Sequence, residues 1–498
     1  MNPSIKTYLE SMMPDRRSLG LFRIILGISL VYNLAVIKWS FIPQYWGSHP
    51  LIPPGVMQNL GGGFVKTISV FTFIHSDGFA YFIFGIGILS AIFLTVGFLS
   101  RIFSWFSLII HWNIVQAYAA FSFGFDMFLF QILFWACFLP LDSEFSVKKQ
   151  SNQTISVWPA LVLIIQVTWI YFSTGMAKYG DSWTGGYAVR NMLVDYWGAT
   201  ELGKELSSNK LFYTATTYIS LIVERLFPIL VLLIPKYTWT RPVLCVFLAL
   251  FHISIMLSYH VGSFSITGLA VAAFFIPGTW WEIIGLHSFH QLNLQWELPF
   301  QGWKKKTLGY LLILSIFIIS WKNIFFLLEY SSLHLNSKFQ KKVQKISHLN
   351  IPSPIHVSIF WQYWKMFAPN PPVKAGWFSL EELKEDGTVI DVISHKTVQE
   401  EPSVLWKPKQ FELYLLMYSR TFDLPDSGTR KFRFFLKYWT LNHLKHINNQ
   451  DFKNIFFTDY LFIIANQKSL SQTYVKRHIL SVSKIIDENY EIGQGSIE

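Results

Sequence analysis

The strongest constraint on this chain is a series of apolar segments, each near the length of a bilayer-crossing helix, spread between residues 19 and 327. They lie at about 19–37, 78–99, 103–120, 126–141, 158–175, 216–234, 242–258, 264–286 and 308–327. A helix rises about 1.5 Å per residue, so about 20 apolar residues cover the hydrocarbon core. The series predicts a polytopic α-helical membrane protein with about nine transmembrane helices. Only 14% of residues are charged, against about 25% in soluble domains, which argues against an ordinary soluble enzyme over this region.

Orientation follows from Lys and Arg in short loops. With the N-terminus inside, Lys6, Arg16, Arg17, Arg101, Lys148, Lys149, Lys236, Arg241 and Lys304 to Lys306 fall on the inner side. The longer outer loops hold Lys38, Lys66, Lys178, Arg190, Lys204 and Lys210. The inner density is higher, so the N-terminus is expected in the cytoplasm and residues after Leu328 outside it. The net charge of +11 needs no nucleic-acid partner, because anionic membrane lipid attracts such juxtamembrane clusters. The first residues, M-N-P-S-I-K-T-Y-L-E-S-M-M-P-D-R-R-S-L-G, lack the cleavage pattern of a signal peptide, so the first span is expected to stay as an anchor.

From Leu328 the composition turns charged, which divides the chain into a transmembrane domain at 1–327 and a C-terminal extracytoplasmic domain at 328–498. In W-F-S-L-E-E-L-K-E-D-G-T-V-I-D-V-I the Asp-Gly pair sits between alternating runs, a hairpin signal. K-F-R-F-F-L-K-Y-W and D-Y-L-F-I-I-A each read as a strand or short helix, making the domain mainly β. Cys137 and Cys245 both fall within spans, so no disulfide is expected there. No zinc-like Cys/His spacing and no Walker-type loop occur, and no metal is predicted.

The stretch Trp169–Tyr187, W-I-Y-F-S-T-G-M-A-K-Y-G-D-S-W-T-G-G-Y, leaves an apolar span through Gly175 and presents Lys178 among aromatic rings. A lysine at a helix end is commonly a snorkelling anchor. Aromatic walls that exclude water instead make it a candidate proton acceptor, whereas Asp181 nearby favours the charged form. Trp183, Tyr187, Asp181 and His260 are candidate ligand-binding residues around this mouth. The segments Phe41–Phe73 and Met176–Ala215 are long enough to cover a vestibule, with N-M-L-V-D-Y-W as a short amphipathic helix against it.

Ionisable groups deep in spans are expensive and point to function. Glu224 and Arg225 lie roughly 13 Å from the outer end of the sixth span, and His252 roughly 16 Å from the inner end of the seventh. In a core of about 30 Å these depths nearly coincide, so Glu224 and His252 are expected to approach each other. Arg225 either neutralises Glu224 or points elsewhere. Gln131 and Gln166 are expected to pair across helices, worth about 0.6 kcal/mol.

The ordered set of R-S-L-G-L-F-R-I-I-L-G, Y-F-S-T-G-M-A-K-Y-G-D-S-W-T-G-G-Y-A, E-R-L-F-P at 224–228, F-H-I-S-I-M at 251–256, G-S-F at 262–264 and W-Q-Y-W-K-M-F-A-P-N-P-P at 361–372 resembles the HTTM family. This is the "horizontally transferred transmembrane" domain shared with vitamin K-dependent gamma-glutamyl carboxylases. The resemblance implies that Lys178 is the base that deprotonates a reduced vitamin K or menaquinol-like quinol, with His252 and Glu224 as membrane-embedded catalytic partners. In the carboxylases, O2 then turns the quinol into a strong base, a peptide glutamate loses its γ-proton, and CO2 adds. The partners so implied are membrane lipid, a lipophilic quinol and an exported peptide or protein, in a bacterial inner membrane. Phe121 stands where animal carboxylases carry the histidine of an Asn-His-Ser-Tyr segment. The alternative is a non-catalytic maturation or assembly factor for an exported peptide, as in SdpB-type relatives.

Overall fold

The computed structural model describes residues 3–48, 50, 69–117, 124–142, 144–148, 154–194, 198–287, 293–296, eight positions between 309 and 324, 366–371, 374–391, 396–397, 455–466 and 471–481. Phe121, the glycine-rich segment at 61–63, residues 325–365 and the K-F-R-F-F-L-K-Y-W stretch lie outside the described residues.

The N-terminal part is a helical bundle. Its elements are α1 (Pro3–Glu10), α2 (Arg16–Val31), α3 (Ile42–Tyr45), α4 (Asp77–Val96), α5 (Ser100–Ala117), α6 (Gly124–Ala136) and α7 (Val157–Ala177). Next come α8 (Asp181–Thr184), α9 (Ala188–Leu193), α10 (Glu201–Ser207), α11 (Lys210–Leu233), α12 (Thr240–Ser258), α13 (Phe264–Phe274) and α14 (Gly278–Ile283). Helix starts are set by local chemistry. Asp15 accepts from the Arg17 N–H ahead of α2, Ser76 from Phe79 ahead of α4, and Asn209 from Phe212 ahead of α11, each satisfying a donor that the first turn would leave unpaired.

Among the described residues, five helical stretches are long and apolar enough to cross a membrane: Arg16–Phe41, Asp77–Val96, Val157–Ala177, Lys210–Leu233 and Thr240–Ser258. Gly124–Ala136 and Phe264–Phe274 are shorter apolar helices. The apolar run at 264–286 therefore does not form one continuous helix. It stops at Phe274, and Pro277 separates it from α14, because proline lacks the N–H that a helix would use there. The described positions between 309 and 324 are helical.

Helix α7 sits at the centre: 72% of its most apolar window is buried, against 28–39% for α4, α11 and α12. Those outer helices turn Phe82, Leu89, Ile219, Leu232 and Leu250 outward, which suits contact with lipid. At the end of the bundle remote from Lys178, the buried Arg23 donates to the carbonyls of Leu141 and Phe145 and to Ser146 Oγ, fastening the link after α6 to α2. Gln166 Nε2 donates to Gln131 Oε1 at 3.1 Å, the expected cross-helix pair.

Thr154–Ser156 (β1) and Asn293–Gln295 (β2) pair in parallel beneath α7. The C-terminal strands are β3 (Lys374–Leu383), β4 (Val389–Asp391), β5 (Lys396–Thr397), β6 (Ile455–Asn466) and β7 (Ser471–Ser481), antiparallel in the order β5-β4-β3-β6-β7. The β3–β4 turn carries the Asp-Gly pair, with Gly387 at φ +84°. Asp386 accepts from the Thr388 hydroxyl and N–H at 2.6 and 2.8 Å, which holds its carboxyl below the usual range.

Candidate functional site

Lys178 is the C-cap of α7, and it does not snorkel. Its side chain is buried and donates to both Glu224 oxygens, at 2.6 and 2.8 Å. Nζ also lies 4.6 Å from the Trp183 ring centroid, a cation–π contact strengthened by the exclusion of water. The bundle makes this pairing possible at Gly175. A Cβ there would stand 2.8 Å from Glu224 Cβ, so only glycine lets α11 come this close to α7. Arg225 points away from Glu224: its Nε donates to the Gly175 carbonyl and its Nη2 to the Lys178 carbonyl, both at 2.9 Å. The carbonyls at the end of α7 are thereby satisfied, and the Glu224 carboxylate is left to the lysine.

Glu224 and His252 do not bond to each other, although their matched depths led us to expect it. His252 is fully buried, and its Nε2 lies 2.6 Å from the Tyr171 hydroxyl. Tyr171 stacks on Phe227 at 4.7 Å between centroids and meets Phe251 and His252 edge-on, filling the space between α11 and α12. The His252 ring occupies a notch left by Gly268 of α13, where a Cβ would fall 2.1 Å from ring atoms.

These two pairs flank a cavity of about 100 Å³. Tyr171, Thr174 and Lys178 of α7 form one wall, and Phe212, Thr216, Ser220 and Glu224 recur every fourth residue on α11. Phe251, Ser254 and Ser258 of α12 form the third wall, with Phe264 of α13 beside them. The cover is made by Trp183 of α8, by Val189, Met192 and Leu193 of α9, and by Met366 and Phe367. His252 is not among the lining residues; Tyr171 stands in front of it.

Met366 and Phe367 arrive from the segment leading to β3. Trp183 Nε1 donates to the Phe367 carbonyl at 2.9 Å, and the Gly180 N–H to that of Pro369 at 3.1 Å. Asn370 Oδ1 accepts from the Ser182 N–H and hydroxyl at 3.0 and 2.5 Å. The M-F-A-P-N motif thus clamps the loop that carries Trp183 over Lys178.

Of the residues expected at the site, the structure brings Lys178, Glu224 and Trp183 together and sets His252 one ring behind. Asp181 is exposed at the start of α8, and Tyr187 faces Arg190 at 5.6 Å. His260 is exposed, with its N–H donating to Gly198; none of these three lines the cavity. From sequence, Tyr171 reads only as one of the aromatic rings around Lys178 and Asn370 only as part of the 361–372 motif; neither the Tyr171–His252 nor the Asn370–Ser182 contact is foreseen there. Tyr171 sits seven residues before Lys178, two turns along one helix face, a spacing that carries the signal in retrospect. Among the described residues no three His, Cys, Asp or Glu side chains gather as a metal set.

The HTTM domain model matches residues 13–280, more than half of the chain. The chain belongs to the HTTM family. No curated protein and no solved structure matches it. The HTTM match ends just before the last turn of α14 and so contains Lys178, Glu224, His252 and Tyr171, whereas Met366–Asn370 lies beyond it.

Proposed function

We propose that this HTTM protein binds a lipophilic quinol of the reduced vitamin K class in the cavity and that Lys178 accepts a proton from it. The observation that carries this reading is the Lys178–Glu224 pair, buried in the wall of a mostly apolar cavity. An ion pair placed there has a desolvation cost of several kcal/mol per ion, and this one borders space that a ligand can fill. The residues fit the oxygen-bearing end of such a ligand. Aromatic rings contribute to the walls, and the enclosed volume of about 100 Å³ is about two-thirds of the roughly 150 Å³ that takes one benzene ring, so a larger head group would need the open side as well. The remainder of a larger molecule would leave between α11 and α12, past exposed Ser254.

The quinol, when bound, supplies an acidic hydroxyl and the reducing equivalents for reaction with O2. The protein's part is proton handling and exclusion of water. A proton moving along the 2.6 Å hydrogen bond from Nζ to Glu224 frees the amine to accept another from the ligand. Trp183 and Phe367 close the site above it, and Arg225 holds the backbone of Lys178 in place. By the carboxylase resemblance, CO2 addition to an exported peptide would follow. We further propose nine spans, from the apolar segments, with the N-terminus cytoplasmic and residues after 328 outside, from the Lys and Arg distribution, in a bacterial inner membrane, from the family resemblance.

The test is epoxide formation by purified protein in nanodiscs given reduced vitamin K and O2. Product from the wild type and none from Lys178→Met is expected. No Lys178-dependent epoxide under any condition removes the enzymatic reading and leaves the maturation-factor alternative.

A further inference from the structure

The serine and threonine hydroxyls of the cavity wall share one feature. Thr174 donates to the Ile170 carbonyl, Thr216 to Phe212, Ser220 to Thr216 and Ser254 to Phe251, at 2.7–2.8 Å. Each therefore has its proton committed to its own helix and offers the cavity only an acceptor oxygen.

Tyr171 is different, and His252 makes it so. The 2.6 Å contact between the Tyr171 hydroxyl and His252 Nε2 allows either group to donate. The other ring nitrogen, Nδ1, is buried without a hydrogen-bond partner. Were Tyr171 the donor, the neutral ring would carry its proton on Nδ1, leaving a buried N–H with nothing to bond. Either tautomer leaves one donor without a partner, the buried Nδ1–H or the O–H of Tyr171. Only Tyr171 lines the cavity, where an occupant can satisfy its O–H, and orphaned buried donors are rare, which favours the proton on Nε2. His252 then donates to the phenol oxygen, and the Tyr171 O–H is free to bond elsewhere. Stacking on Phe227 fixes the ring, and the cavity adjoins it.

We propose that Tyr171 is a hydrogen-bond donor into the cavity, oriented by His252, and that it binds an acceptor oxygen, carbonyl or phenolate, of the ligand that meets Lys178. The ligand class rests on the quinol reading; the donor role does not. His252 is on this account a positioning residue.

Two readouts test it on the full-length protein in nanodiscs. With ¹⁵N-labelled histidine, the wild-type spectrum minus that of His252→Asn isolates the buried ring; Tyr171→Phe, which removes only an oxygen, gives the same assignment should the first variant fold poorly. A protonated Nε2 and a bare Nδ1 are expected, and a protonated Nδ1 overturns the proposal. With ¹³C-carbonyl-labelled menadione as probe, infrared difference spectra should show a carbonyl band lowered in the wild type and restored in Tyr171→Phe. A band that stays lowered in Tyr171→Phe also overturns the proposal. Menadione that does not bind removes the quinol class from both readings, while the tautomer still decides whether Tyr171 donates.

Discussion

Removing the partners of the buried ion pair one at a time and then together gives a sharp test of how Lys178 is held. Lys178→Met and Glu224→Leu each leave one ionisable group in a site where both side chains are about 95% shielded, at 5% and 4% exposure. Stripping one partner from a buried pair costs about 3–5 kcal/mol, because the survivor keeps its desolvation penalty without compensation. A Coulomb estimate agrees: opposite charges about 4 Å apart attract by about 4 kcal/mol at an effective dielectric of about 20. The double variant removes both penalties together. Replacement of a whole buried pair by apolar side chains is often neutral or stabilising, so the double variant should cost less than either single one. The coupling energy then exceeds about 3 kcal/mol.

The assay is unfolding of the purified protein in mixed micelles, followed by circular dichroism, for the four members of the cycle. Singles costing less than about 1 kcal/mol, the range of exposed pairs, would refute the reasoning. So would a double variant whose cost equals the sum of the singles, since two residues that add do not interact. Glu224→Gln extends the cycle. The amide still accepts from Lys178 but carries no charge, so it separates the hydrogen bond from the electrostatic attraction.

Other substitutions follow from the same contacts. Arg225→Lys keeps the charge but cannot bond the Gly175 and Lys178 carbonyls together, so a loss of about 1.5–3 kcal/mol for one charge-assisted bond is expected in the same unfolding assay. Gly268→Ala drives a methyl group into the His252 ring and should cost about 1–3 kcal/mol. The double variant Gly268→Ala/His252→Ala should recover part of that loss, and a purely additive result counts against the notch. Asn370→Ala removes both bonds from Ser182 and should lower stability by about 1–3 kcal/mol. Asn370→Asp, which keeps an acceptor oxygen, should fall between it and the wild type in thermal unfolding.

The sequence read the helices well where apolar composition alone decides them. The expected spans at 158–175 and 242–258 correspond to Val157–Ala177 and Thr240–Ser258. Asn209 starts α11 ahead of the apolar run at 216–234, because a cap, not hydropathy, sets the first turn. Pairing within the site was less legible. Depth along a span is one coordinate; which neighbour a side chain faces also depends on rotation about the helix axis, about 100° per residue. Matched depth therefore brought Glu224 and His252 to one level without aiming them at each other. Lys178 was legible as a residue but not in its height. Glu224 lies fourteen residues after the start of α11, about 21 Å along the helix. The lysine that meets it is thus well below the top of α11, under a cover of α8, α9 and the Met366–Asn370 segment rather than at an open mouth.

Burial of an ion pair is not by itself a sign of function, and the protein contains the comparison that shows why. Lys38 Nζ lies 2.5 Å from Asp126 Oδ1, both residues at most 3% exposed. Lys38 ends a π-helical turn, Tyr32–Lys38, whose i→i+5 spacing brings Asn33 Oδ1 within 2.8 Å of the same amine. Asn33 also donates to Asp126 and to Ser263. This cluster ties α2 to α6 and α13, and none of its members lines the cavity beside Lys178. Such a pair serves to fix helix register, whereas Lys178–Glu224 borders space that a ligand can fill. The two should therefore separate in experiment. Single changes at Lys38 or Asp126 should cost about 3–5 kcal/mol, but the compensated double Lys38→Met/Asp126→Leu should keep Lys178-dependent epoxidation. Loss of that activity in a stably folded double variant would place the second pair in the chemistry and defeat the distinction drawn from the cavity.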